Sequence, residues 1–440
     1  MDAVELLKQV RVIDPVAGTD RVADVLIEGG IIREVSDNIT ELPSETIIHN
    51  CQGLILGPGL VDLYSHSGEP GFEERETLES LMQAAAAGGF TQVVILPDTV
   101  PAIDNPATVA WLREKARNWR EWQARRDVGS CPSVLYYPHL HCWAALTIDT
   151  QGQQMSELAE LAMAEIAGFA DGKPLSQLAM VRRLLEYLKP IGKPIALWAW
   201  DVGLAGNGVM REGRESMQFG LPGVPAIAET ASLSALLECV ETIGTPVHLM
   251  RISTARGVEL VRAAKARGVP VTASTSWMHL LLNSEAVGSY DPNLRLNPPL
   301  GNLEDQMALL KGLKEGVLDV IAIDHTPYTY EEKTVAFAEA PPGAIGLELA
   351  LPLLWQALVE TGQWSALELW RCLSTNPARC LQQKPSAIVP DAAAELILFN
   401  PNQPWIVEPH TLKSLSSNTP WLRHELSGRV ILRHGQAVRA

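Results

Sequence analysis

The sequence predicts an α/β protein, a (β/α)8 TIM barrel with a small β-sandwich formed by both termini. Three observations carry this. Through the middle of the chain, short apolar strands alternate with amphipathic helical stretches, the pattern of parallel βα units. At least half a dozen such units follow one another, which favours a closed barrel over an open sheet. The two ends instead read as β-branched runs separated by Gly and Asp turns, so the end segments are expected to pair with each other. On this reading residues 1–56 and 391–440 are the two halves of the sandwich, and 57–390 form the barrel.

The elements follow in order. Val10 to Ile13, Ala23 to Glu28 and Ile31 to Val35 are short strands, with a turn at Gly29-Gly30. Gly59 to Tyr64 is a strand ending in polar residues. Thr77 to Ala87 is a helix stopped by Gly88-Gly89, and Thr91 to Leu96 is the next buried strand. Trp111 to Arg126 reads as a solvated, amphipathic helical insertion. Four helix–strand pairs follow, with helices from Ser176, Ala231, Gly257 and Leu303. Their strands are Pro194 to Trp200, Pro246 to Ile252, Val269 to Thr275 and Val317 to Asp324. The β texture returns at Ala394 to Phe399, Trp405 to Val407 and Gly428 to Leu432, before a turn at Gly435.

Composition excludes several functions. The 440 residues carry 51 acidic and 35 basic side chains, a formal charge of −16, which argues against a nucleic-acid or anionic-membrane surface. No uncharged apolar run reaches the roughly 18 residues of a membrane span; the nearest, Ile345 to Val359, contains Glu348 and Pro352. The N-terminus lacks the basic-then-apolar order of a signal peptide. The six cysteines at 51, 131, 142, 239, 372 and 380 form no CxxC pair, as expected of reduced thiols in a cytoplasmic protein. There is no Walker loop, dinucleotide fingerprint or GxSxG elbow.

In a barrel, chemistry sits at the C-terminal ends of the strands. Those positions hold Asp62 to His66, Asp98, Asp171, Trp198 to Asp201, Arg251, Ser274 to Trp277 and Asp324-His325. Two histidines and several large aromatics make an unusual mouth for an enzyme.

At these residues the chain resembles dihydroorotase, of the amidohydrolase superfamily. The resemblance runs nearly end to end through Gly59-Leu-Val-Asp, Glu69-Pro-Gly-Phe-Glu, Leu204-Ala-Gly-Asn-Gly-Val-Met-Arg-Glu-Gly, Gly220-Leu-Pro-Gly-Val-Pro-Ala, Asn297-Pro-Pro-Leu, Ile323-Asp-His-Thr-Pro-Tyr-Thr and Thr375-Asn-Pro-Ala-Arg. It implies the amidohydrolase type of barrel, with zinc at the mouth held by imidazoles and carboxylates, and a metal-bound hydroxide attacking a ring amide. The family's His-x-His strand end reads Tyr64-Ser65-His66 here, so one ligand is replaced. Its Phe-x-Asp-Asp-Gly stretch reads Phe169-Ala-Asp-Gly, leaving open whether Asp171 or the missing neighbour was the ligand. Two further ligand histidines are Trp198 and Arg251, while the catalytic aspartate remains as Asp324. An indole has no lone pair to donate and a guanidinium is a permanent cation, so neither suits zinc. Of the substrate grip, Asn297 remains, whereas Gly68, Asp98 and Tyr328 stand where the family has an arginine, an asparagine and a histidine.

Three functions remain open. In the first the chain has lost zinc-dependent hydrolysis, holds no metal, and serves as a scaffold in pyrimidine biosynthesis, with aspartate transcarbamoylase as partner; Arg251 then pairs with Asp324. The resemblance also implies a homo-oligomer. In the second it remains a cyclic amidohydrolase with a reduced site, zinc resting on His66, Asp171 and Asp324. In the third Tyr64, Trp198, Trp200, Trp277 and Tyr328 form a stacking pocket for a flat ring rather than a plug. His139-Leu-His141 is a second His-x-His without a recognisable ligand partner, and is expected to be structural.

Overall fold

The computed structural model describes residues 4–126 and 138–431; Cys131, residues 133–137 and the expected turn at Gly435 lie outside them. Among the described residues eight parallel strands make the barrel: Leu60–Ser65, Phe90–Ile95, His139–Ala144, Gly168–Phe169, Ala196–Trp198, Val247–Met250, Val271–Ser276 and Val320–Ala322. The first four and the last four each form a continuous sheet. A bridge between Phe169 and Ile195 joins the two sheets. The seam is closed by Asp324 N donating to Tyr64 O at 3.1 Å and His66 N donating to His325 O at 2.8 Å. These strands are buried on both faces because their inner side chains fill the barrel and their outer ones meet the helices, which is why they read as continuous apolar runs.

The helices are set by local signals. Thr77 caps Leu78–Gly88 by accepting from Ser80 N, and Gly89 ends that helix in the left-handed region at φ 85°. Gly59 alone separates the strand Ile55–Pro58 from the first barrel strand. A Cβ there would lie 2.1 Å from the Thr91 hydroxyl, so only glycine lets the chain turn that closely into the barrel.

The two ends of the chain meet in one seven-stranded sheet. Leu398 pairs antiparallel with Leu56, so a strand near residue 400 hydrogen-bonds one near residue 56. The strand Ile55–Pro58 crosses the expected boundary at 56/57. The strand Leu396–Ile406 unites two stretches that the sequence separates, its register slipping between Asn400 and Pro404 as in a bulge. Among the described residues no helix is long and apolar enough to cross a membrane.

Glu348 fastens the C-terminal segment to the barrel. Its Oε1 accepts from Lys413 N at 2.7 Å and Ser414 N at 3.1 Å. Burial pushes its carboxyl up to about 7, against those two hydrogen bonds, which favour the anion. A folded-state pKa above the unfolded value contributes stability that is complete at low pH and is lost as pH rises through about 7. Glu348→Gln, which mimics the protonated form, should therefore gain on the wild type between pH 5 and pH 8, by on the order of 1–3 kcal/mol in urea unfolding. A gap that does not change with pH would show that Glu348 stays ionised in the fold.

Candidate functional site at the barrel mouth

The strand ends deliver His66, Asp98, Trp198, Arg251 and Asp324 to one cavity of about 230 Å³, with Asn297, His279 and Tyr328 on its walls. Arg251 ties these groups together. Its Nε and Nη2 grip both oxygens of Asp324 at 2.8 and 2.6 Å. Nη1 donates to Gly172 O at 2.8 Å, and Nη2 also lies 3.2 Å from His66 Nε2. Burial works against this charged guanidinium, but Asp324 outweighs it by charge and hydrogen bonds and holds the pKa above its ordinary value. The guanidinium lies over the Trp198 ring at 4.7 Å and over the Tyr64 ring at 5.5 Å. Thus Arg251 lies against the residues at the two other positions, 64 and 198, where the family resemblance places histidines.

Both partners of the ion pair adopt left-handed backbone, Arg251 at φ 57° and Asp324 at φ 52°. Such conformations cost non-glycine residues about 1–2 kcal/mol each, and they persist where surrounding structure imposes them. Here the Arg251 N–H donates to the Tyr64 hydroxyl at 3.3 Å and the Asp324 N–H to the Tyr64 carbonyl at 3.1 Å.

His66 has its Nδ1 2.8 Å from Asp98 Oδ2, and its Nε2 3.7 Å from Asp324 Oδ1. Burial alone would lower its pKa; Asp98, with a smaller part from Asp324, reverses this and raises it. Asp98 stays below its ordinary range, since His66, Lys173 and Arg251 together outweigh its burial. Asp171 does not join this group. Its Oδ1 accepts from Leu146 N at 2.7 Å and Thr147 N at 3.1 Å, and its Oδ2 from the Thr147 hydroxyl at 2.6 Å. The set of His66, Asp171 and Asp324 expected for a reduced metal site is therefore split, because the loop after the strand His139–Ala144 captures the middle carboxylate.

The aromatic residues pack mainly on each other. Tyr64 is fully buried, Trp198 stacks on Trp200 at 5.6 Å, and Trp277 stacks on Trp421 at 5.1 Å. Trp198, Trp277 and Tyr328 still show an edge to the cavity. At Gly68, where the resemblance places an arginine, a Cβ would sit 2.4 Å from the carbonyl oxygens of both Phe72 and Glu76, so this backbone admits no side chain. His325 faces away from the mouth, its Nδ1 accepting from Gly346 N at 3.1 Å.

Some participants have no mark in the sequence. Beneath the ion pair, Tyr64 bonds Ser274 at 2.9 Å, and Ser274 bonds His248 Nε2 at 2.9 Å. Burial holds His248 neutral, its pKa pushed down to about 3. At the rim Arg75 pairs with Glu332 and lies over Phe72 at 4.2 Å and Tyr328 at 5.0 Å.

Comparison with known proteins agrees with this architecture. A family model described as dihydro-orotase-like matches residues 53–256. Over 436 residues the chain is 45% identical to a probable dihydroorotase-like protein of Synechocystis sp., covering 96% of this chain and 98% of the other. It is 36% identical to a dihydroorotase of Syntrophus aciditrophicus, covering 97% and 96%. Among solved structures, the L-hydantoinase (dihydropyrimidinase) from Arthrobacter aurescens superposes with a TM-score of 0.80 at 19% identity, covering 97% of this chain and 93% of that one, a likeness of fold alone.

Proposed function

The chain belongs to the dihydroorotase-like family, and from that premise we propose that it is a member in which zinc-dependent hydrolysis has been given up. The supporting observation is the position of Arg251. Zinc needs several lone pairs converging on one point. Both Asp324 oxygens and His66 Nε2 instead face the Arg251 guanidinium, and Asp171 is held by Thr147. Tyr64 is bound to Ser274, and the indole of Trp198 carries a donor N–H only. This donor set does not suit a divalent cation, and a fixed positive charge amid it opposes one. The role left to an intact fold whose strand-end donors are tied to Arg251 is that of a scaffold in pyrimidine biosynthesis, holding aspartate transcarbamoylase through its surface.

Elemental analysis of protein purified without chelator or metal-affinity steps should find far less than one zinc per chain. One zinc or more per chain would overturn the reading. At near-native expression the chain should co-purify with the transcarbamoylase at a fixed ratio, and isolation without it would remove the scaffold part.

A second reading keeps a cyclic amidohydrolase working from this site. It is favoured by the cavity that persists beside Arg251 and by the His66–Asp98 pair, which has the form of an oriented base. The relatives named dihydroorotase support it as well. It requires turnover that disappears in Asp98→Asn.

A further inference from the structure

The second His-x-His of the sequence opens a different site. His139 begins its barrel strand, Ala167 precedes Gly168–Phe169, and Lys193-Pro194 precede Ala196–Trp198. All three lie at N-terminal strand ends, on the face opposite the mouth. Together with the helix Pro106–Arg126 they enclose a cavity of about 780 Å³, within the size range of small-molecule sites.

Its charge is unlike that of the chain. In a protein of net charge −16, four cations among the described residues line this cavity, Arg113, Arg117, Arg120 and Lys193, against one described carboxylate, Glu165. Glu165 is taken by Arg113 in an ion pair. Arg120 donates to His139 Nδ1 at 2.6 Å. Arg117 and Lys193 have no ion pair among the described residues. The imidazoles add no charge: burial first, then Arg120, pushes His139 down to about 4, and the same causes lower His141. They leave neutral hydrogen-bonding groups in a positive field.

Two further features speak of a ligand larger than a bare anion. Leu112, Leu140 and Ile166 add apolar lining. Gln383 also lines the cavity, and its Oε1 is buried with no hydrogen-bond partner among the described residues.

We propose that this cavity on the N-terminal face binds a phosphorylated small molecule of nucleotide size. Its phosphates meet Arg117 and Lys193, and its less polar part rests against Leu112 and Leu140. Guanidinium and ammonium groups lining one concave site are a usual cradle for phosphate oxygens. The site is independent of the mouth and of whether hydrolysis survives there.

The test is calorimetric titration of the full chain with ADP, then with pyrophosphate in competition. ADP should bind saturably and pyrophosphate should displace it. The double variant Arg117→Gln, Lys193→Gln should weaken ADP by about tenfold or more, with an unchanged circular dichroism spectrum. Both substituted residues are at least partly exposed, so the fold should tolerate the change. Absence of saturable ADP binding at millimolar concentration, equal affinity in the double variant, or failure of pyrophosphate to compete would each overturn the proposal. So would preference for a glutamate-rich peptide over ADP, which would make the surface a protein contact.

Discussion

Asp324→Ala should lower the stability of the fold by about 3–5 kcal/mol, a large effect for a residue that lines a cavity. The cause is Arg251, whose side chain is only 4% exposed while that of Asp324 is 14% exposed. Without the carboxylate, a buried guanidinium keeps Gly172 O and His66 Nε2 but loses its paired counter-charge, with Asp98 the nearby anion that remains. Removing one member of a buried pair costs more than the pair contributes, because the remaining charge is stranded away from water. The same reasoning predicts rescue. Arg251→Met placed in the Asp324→Ala background should recover much of the loss, since the methionine is a neutral side chain lying against Trp198 and Tyr64. Urea unfolding of both single variants and the double variant measures this coupling. Simple addition of the two single losses would show that the pair is not the element that holds the mouth together.

The wild-type chain should hydrolyse dihydroorotate no faster than buffer alone, a deficit of about 10⁶-fold or more against an active enzyme. Opening a ring amide needs an activated water and a base free to take its proton. His66 has one nitrogen on Asp98 and the other facing Arg251 Nη2, and both Asp324 oxygens are occupied. Gly68 has no room for a carboxylate-binding side chain, and Asp98 brings negative charge to the place where an anionic substrate would sit. Adding zinc to the assay, or a chelator, should change nothing. Turnover above background that is lost in Asp98→Asn would favour the second reading, and turnover that rises with zinc would show that Arg251 yields to the metal.

How far the site could be read from the chain differs from residue to residue. Tyr64, Trp198 and Arg251 were legible because each stands at a fixed offset within a strand-end segment, where the change of residue type alters donor chemistry without any need for coordinates. That Asp171 turns away was not legible. The acid stands at the expected place in Phe169-Ala-Asp-Gly, and only the fold shows Thr147 reaching it across a neighbouring strand end. His248 and Arg75 were invisible for a related reason, since their partners Ser274 and Glu332 lie far along the chain.

The sequence by itself determined the alternation of strands and helices, the pairing of the two ends, the acidic balance and the residue types that stand at 64, 198 and 251. These follow from local pattern and residue chemistry, which are fixed before folding. Tertiary structure alone decided that the replacements pack together around Arg251, that Asp324 is that cation's partner, and that cations gather around His139 and His141 on the opposite face. Such facts depend on which strand ends converge when the barrel closes, and on which charges are then left out of water to be neutralised by their neighbours.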